Sequence, residues 1–284
     1  MKDGIFLVMD EGNSRCGLTD RLKTAVGLCY TARLHGLDFY LIHNAGFDLK
    51  DYLTPNRIDW SASLSDISDD PGDRQEIHYM APYTDFPSFH KGVQYICRKY
   101  IGNNLIEKRN VPDWQKVWRK LFLDMFTPSQ SVRNFLAACK MPERYTAVAA
   151  RFINSLGQTE DADYNRPFPE EMRKRLIDAV LEKAAECRKE ANSPIVVYSD
   201  SVPFLEAAKE KGFLTTDTAG VGNIMNGNLG EYVTLRTFVN FFQMAGADRV
   251  YSILHMPGFP ENSLYKTQYP RYAAIVGNRP FIRL

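Results

Sequence analysis

The sequence has little that would tie it to a metal, a disulfide framework or a membrane. Its five cysteines (Cys16, Cys29, Cys97, Cys139 and Cys187) are scattered, odd in number and form no Cys-x-x-Cys pair. That spacing excludes a zinc ribbon or a disulfide scaffold and reads as reduced thiols of a cytoplasmic protein. The five histidines are equally dispersed, with no His-x-x-x-His, so no metal centre is expected. The charges nearly cancel, at 35 Lys and Arg against 34 Asp and Glu. A net charge of +1 excludes the basic excess of a nucleic-acid binder. No run of about 18 apolar residues is present, so no membrane span is expected. The apolar stretch Ile5–Met9 is too short for a signal peptide, and none is expected.

What is present is an ordinary globular composition over 284 residues, with 44% hydrophobic and 24% charged residues. The length predicts two domains or one large one. Gly4–Val8 reads as a first strand. A polar loop from Asp10 to Gly17 follows. Leu18, Leu22, Ala25, Val26, Cys29 and Ala32 then recur at helical spacing, and Gly36 is placed to end that helix. Phe39–His43 is a second strand. This strand–loop–helix–strand order is a βαβ unit and predicts a parallel sheet.

The middle of the chain predicts a surface loop over 61–74, a short strand over 75–79, and a helix over 90–100. A stronger helix spans 113–126, with Trp114, Val117, Trp118, Leu121, Phe122 and Met125 on one face. Pro128 is expected to end it, and Ser129 to cap a further helix running to about Cys139. Lys116, Arg119 and Lys120 on the aromatic helix are either a membrane-surface patch or the solvated edge of a packed helix. The second half repeats the α/β rhythm: strands over 146–150, 195–198, 213–216, 249–254 and 280–282, with helices between them. Two domains are expected, 1–142 and 143–284, parting near Met141-Pro142-Glu143.

One residue stands out. Arg151 ends the small apolar strand Thr146–Ala150 and opens a polar loop that reaches Glu160 and Asp161. Open α/β sheets bind ligands at the carboxyl ends of their strands. A guanidinium there forks onto phosphate or carboxylate, so an anion is the expected ligand, although a salt-bridged structural arginine fits the same position. Ser199-Asp200-Ser201 closes another buried strand and reads either as a ligand-binding turn or as a helix N-cap. Lys266-Thr267-Gln268 precedes the final helix, where a hydroxyl and backbone N–H groups make an anion site or a plain cap. Gly12 and Gly17 allow close backbone approach in the first strand–helix loop, but the loop is neither G-x-G-x-x-G nor a Walker A sequence. The three second-half loops, at Arg151, Asp200 and Thr267, together fit a nucleoside diphosphate neutralised by arginine and helix termini.

Several short motifs, in shared order, resemble the GT-B fucosyltransferase superfamily, which groups nodulation, core α-1,6- and protein O-fucosyltransferases. Gly17-Leu18-Thr19-Asp20-Arg21-Leu22 is similar to the family's N-terminal Gly-Leu-Gly-Asp/Asn-Arg-Leu, Tyr52–Trp60 to a stretch after the second strand, and Leu121–Ser129 to the Leu-Phe-x-Pro-Ser before the domain boundary. Val148-Ala149-Ala150-Arg151 resembles the His-x-Arg that holds the donor phosphates, with Ala149 at the histidine and Phe152-Ile153 where a second Arg or Gly-Asp is usual. Tyr198-Ser199-Asp200-Ser201 resembles the Thr/Ser-Asp motif, and Thr267, before Tyr269–Ala274, the serine near the β-phosphate.

The resemblance implies two Rossmann-like domains with a cleft between them. It implies an inverting, metal-independent transfer of fucose from GDP-fucose to a bacterial surface-polysaccharide acceptor, in one form lipid-linked at the inner face of the membrane. No cofactor is implied. Arg151, Ser199, Asp200, Ser201, Lys266, Thr267 and Gln268 would bind the donor. Gly17, Asp20 and Arg21 would lie on the acceptor side, unless Arg21 instead pins its loop to the sheet. Glu160 would be the base, one residue beyond the family's position, which is Thr159 here; Asp161 is next. Two rival readings keep part of this: a transferase for another nucleotide sugar, and a non-catalytic glycan- or nucleotide-binding relative, which the missing histidine fits.

Overall fold

The computed structural model describes residues 2–10, 17–77, 88–98, 104–153, 155–157, 167–216 and 230–284. These residues fall into two compact units, one up to Arg133 and one from Asn134 onward.

In the first unit the chain forms β1 (Gly4–Met9), α1 (Leu18–Leu34), β2 (Phe39–His43), β3 (Leu53–Pro55), β4 (Arg74–Glu76), β5 (Gln94–Cys97), α2 (Leu105–Lys108), α3 (Trp114–Met125) and β6 (Phe126–Pro128). Helix α4 (Gln130–Ala138) carries the chain into the second unit. There follow β7 (Thr146–Ala150), α5 (Glu170–Ala191), β8 (Ile195–Ser199), α6 (Val202–Glu210), β9 (Leu214–Thr215), α7 (Glu231–Gly246), β10 (Arg249–Ile253), α8 (Tyr269–Gly277) and β11 (Phe281–Arg283). Each unit is built on a parallel sheet, in the order β2-β1-β5-β4 in the first and β11-β10-β7-β8-β9 in the second. The expected α/β class, with two Rossmann-like halves, is what the chain adopts.

Three local expectations are corrected. The stretch predicted as a helix over 90–100 contains strand β5, paired with β1 at Gly4↔Gln94 through Leu7↔Cys97. All four of its residues are buried. An interior parallel strand is covered on both faces, so it shows no alternation and is easily read as a buried helix. Pro128 does not end α3. The helix stops at Met125, and Phe126–Pro128 pairs antiparallel with β3 at Leu53↔Pro128, Thr54↔Thr127 and Pro55↔Phe126. This small sheet is locked by Trp60, which is buried and donates its indole N–H to the Met125 carbonyl at 2.7 Å. The strand expected over 75–79 is Arg74–Glu76. Ser129 accepts the Val132 N–H at 3.4 Å at the start of α4.

The basic residues of α3 are tied to neighbours on or beside the helix: Lys116 to Asp113 at 3.0 Å and Lys120 to Asp124 at 2.7 Å. Among the described residues no helix is long and apolar enough to cross a membrane.

The second unit's core lies between one face of its sheet and helices α5 and α6. Val148, Ala150, Ile195, Val197, Tyr251 and Ile253 meet Leu176, Val180, Leu181 and Phe204 there. Burying each of the larger side chains contributes about 1.5–3 kcal/mol. Helices α7 and α8 pack on each other, and α8 packs against β10. Gly277 permits that approach, because a Cβ there would fall on the Ala245 carbonyl.

Candidate functional site

Strand register places the chemistry of the second unit. β7 pairs with β8 through Ala150↔Ser199, so the residues that follow, Arg151 and Asp200, leave the sheet side by side. On the other side β7 pairs with β10 through Ile253↔Ala150. The chain goes from β7 to β8 and β9 on one side, then returns to β10 and β11 on the other. The reversal falls between β7 and β10. Loops leaving two such strands diverge and open a crevice at their carboxyl ends, where α/β proteins place ligands. Arg151 stands at that point.

The Arg151 side chain is held from two directions. Its Nε lies 3.7 Å from Asp200 Oδ2, and its guanidinium carbon lies 4.7 Å from the centre of the Tyr265 ring. Asp200 also organises the loop itself. Its two carboxylate oxygens accept the N–H groups of Phe152 and Ile153, each at 2.8 Å. Ile153 has φ 50°, a left-handed conformation that a β-branched residue rarely adopts. The Asp200 clamp fixes that turn. Burial pushes the Asp200 carboxyl above the usual carboxylate range, while Arg151 and the two amide donors pull it back. Arg151 is thus ion-paired with Asp200, as the structural reading has it, with its side chain 14% exposed.

The other donor-site candidates serve different parts of this frame. Ser199 Oγ accepts the Ser201 N–H at 3.2 Å, and Ser201 caps α6 by accepting the Phe204 N–H at 3.4 Å. Thr267 Oγ1 accepts the Tyr269 N–H at 3.2 Å at the first turn of α8. Gln268 is the N-cap of α8, and its Oε1 accepts from Arg271 at 3.3 Å and Arg283 at 3.4 Å. Lys266 is exposed. Phe152 packs into the second unit's core. It is fully buried there and packs on Phe204, with ring centres 4.8 Å apart. Thr159, Glu160 and Asp161 lie outside the described residues, as does Asp161-Ala162-Asp163. That run is an Asp-x-Asp sequence, a pattern that suits a divalent cation and that the metal-free expectation overlooked. Among the described residues no group of three or more His, Cys, Asp or Glu side chains could hold a metal ion.

In the first unit Gly17 is the N-cap of α1, and Asp20 pairs with Lys23 at 2.5 Å. Arg21 is buried. It donates from Nη1 to His43 Nε2 at 2.9 Å and to the Ala45 carbonyl at 2.8 Å, and lies over the Phe47 ring. An arginine only donates, so His43 Nε2 accepts and its proton sits on Nδ1, facing the Phe47 carbonyl at 3.3 Å. Burial, with the Arg21 charge added, lowers the His43 pKa to about 3. These bonds pin the turn after β2 against α1.

Sequence reasoning passed over two groups. Arg98 follows β5 and pairs with Asp10, beyond β1, at 3.8 Å and with Glu76 at 3.4 Å, at the first unit's own reversal of strand order. Arg236, Asn240 and Gln243 are buried on one face of α7. The Asn240 Oδ1, the Gln243 Oε1 and the buried Tyr198 hydroxyl have no hydrogen-bond partner among the described residues. Polar residues at a four-then-three spacing in an otherwise apolar helix were the signal available for the second group.

No protein-family model and no curated protein matches the sequence. Solved structures do match the fold. NodZ α-1,6-fucosyltransferase soaked with GDP-fucose superposes with a TM-score of 0.59 at 10% identity, covering 97% of this chain and 93% of NodZ. NodZ co-crystallised with GDP superposes with a TM-score of 0.58 at 10% identity, covering 96% and 92%. At such identity the likeness is one of fold, and the chain has the two-part Rossmann-like fold of NodZ, a GT-B fucosyltransferase.

Proposed function

We propose that the chain is an inverting, metal-independent glycosyltransferase that moves fucose from GDP-fucose to a bacterial glycan acceptor. The observation that carries this reading is Arg151, set at the strand-order reversal of the second unit and braced by Asp200 and Tyr265. The fold likeness to NodZ structures prepared with GDP-fucose or GDP supports it.

In this reading an acceptor hydroxyl attacks the anomeric carbon of fucose while the bond from that carbon to the β-phosphate oxygen breaks. The electron pair leaves with GDP. Arg151 and the α8 start at Lys266, Thr267 and Gln268 stabilise the charge that develops on the diphosphate. Asp200 holds the loop that aims Arg151, and Ser199 and Ser201 fix the turn into α6 beside the donor. The acceptor's proton passes to a carboxylate, Glu160 first and Asp161 second. A single displacement inverts the anomeric centre. Gly17 and Asp20 border the acceptor side, while Arg21 pins the turn after β2 instead, and the acceptor is a surface-polysaccharide intermediate, in one form lipid-linked at the inner membrane face.

Thermal-shift measurements with GDP, GDP-fucose, UDP and CMP, each with EDTA, test the donor assignment on the native chain and on Arg151→Ala. A ligand at 100 times its Kd that binds only the folded state stabilises it by about 2.7 kcal/mol. The expected result is a GDP and GDP-fucose shift that EDTA does not remove and Arg151→Ala does. A response to UDP or CMP alone discards fucose. A shift abolished by EDTA discards metal independence. A flat panel discards the donor site and leaves a non-catalytic relative.

A further inference from the structure

We propose that Tyr265 is the positioning residue for Arg151, fixing the plane of its guanidinium before a diphosphate arrives. The inference rests on the donor-binding reading of Arg151 above.

Arginine is a long side chain with much rotamer freedom, and a ligand that must order it loses affinity. Two contacts order Arg151 in advance. The Asp200 carboxylate lies 3.7 Å from Nε, an ion-pair contact longer than a hydrogen bond, and the Tyr265 ring lies 4.7 Å from the guanidinium carbon. A ring that lies over a guanidinium acts through its face and takes none of its N–H donors, and a phosphate forks onto such donors. Tyr265 is itself anchored to the strand exit it serves. Its N–H donates to the Arg151 carbonyl at 2.8 Å, and its own carbonyl accepts the Thr267 N–H at 2.8 Å. Thr267 in turn holds the first turn of α8. A second tie runs beside it, from Ser155 Oγ to the Ser263 carbonyl at 3.0 Å. One short chain of hydrogen bonds thus links the two places the donor reading assigns to the diphosphate, and Tyr265 is its middle member. Tyr265 is 41% exposed, unlike most large aromatics of this unit, so core packing does not account for its placement.

The test is a double-mutant cycle read by calorimetric titration of the full chain with GDP and with guanosine. The variants are Tyr265→Phe, Tyr265→Leu, Tyr265→Ala, Arg151→Ala and the double Tyr265→Ala/Arg151→Ala. Tyr265→Ala and Tyr265→Leu are expected to weaken GDP binding about fivefold, the scale of a cation–π contact at a half-exposed site, while Tyr265→Phe stays within about twofold because the ring face is kept. Guanosine binding is expected to be unchanged, and Tyr265→Ala to add no loss once Arg151 is gone. Equal losses for GDP and guanosine, persisting in the Arg151→Ala background, would show the ring stacking on the base and overturn the positioning role. Loss of GDP binding in Arg151→Ala with none in Tyr265→Ala overturns the proposal and leaves the donor reading intact. Unchanged GDP binding in Arg151→Ala overturns both.

Discussion

Removing the Asp200 carboxylate is expected to unfasten the loop that carries Arg151. The side chain is 4% exposed and accepts two buried backbone N–H groups, from Phe152 and Ile153, each at 2.8 Å. In Asp200→Ala both donors lose that acceptor, at about 1–3 kcal/mol each. Arg151 loses its ion partner, and truncating one member of a buried pair costs about 3–5 kcal/mol. The two terms overlap, and part of the loss is returned because burying the carboxylate is itself unfavourable, as its raised pKa records. The net expectation is about 3–4 kcal/mol. Asp200→Asn keeps one carbonyl acceptor and is expected to cost about half as much. Ile153 adds a reason for cooperativity, since its left-handed backbone costs about 1–2 kcal/mol and relaxes once the clamp is gone.

Urea unfolding followed by far-UV circular dichroism measures the shift. Fluorescence separately follows the first unit, which holds all three tryptophans, Trp60, Trp114 and Trp118. Asp178→Ala is the control, because the Lys211–Asp178 pair is exposed and such pairs contribute little. An Asp200→Ala variant within about 1 kcal/mol of native at unchanged m-value would refute the clamp.

His43 gives a pH signature of the opposite unit. It is held neutral in the fold with a pKa near 3, while an unfolded histidine titrates near 6.5, so the unfolded state binds the extra proton between those values. Stability is expected to be fully present above about pH 6.5 and to fall below it by about 1.4 kcal/mol per pH unit from this one residue. His43→Gln should remove that share of the slope in denaturation series between pH 6.5 and 4; an unchanged slope would count against it. In the second unit, Gly277→Ala would set a Cβ on the Ala245 carbonyl and force α7 and α8 apart. The expected loss is at least the 1–3 kcal/mol of an overpacked core, read as a lower melting temperature, and an unchanged temperature would mean the helices can part freely.

Much of this was legible from residues alone because it is local. β1, β2, β7, β8 and β10 are short apolar runs bounded by polar or glycine-containing turns, and α3 declares its buried face by spacing. Arg151 was visible because a cation ends an apolar strand. What failed was non-local. Strand β5 carries no alternation because neighbours cover both its faces, and the β3–β6 pair joins two three-residue segments that nothing nearby in sequence connects. Tyr198, Asn240 and Gln243 were passed over because a buried polar atom is conspicuous only when its surroundings are known.

The sequence by itself determined the α/β class, the parallel sheets and the identity of the charge at the end of β7, since these follow from hydrophobic period and turn chemistry within short windows. Only the tertiary structure decided what surrounds that charge. The β7–β8 register set Asp200 beside Arg151, and the return of the chain through β10 laid Tyr265 across it. Register and strand order are fixed by packing between segments far apart in the chain, and that information resides in no single segment.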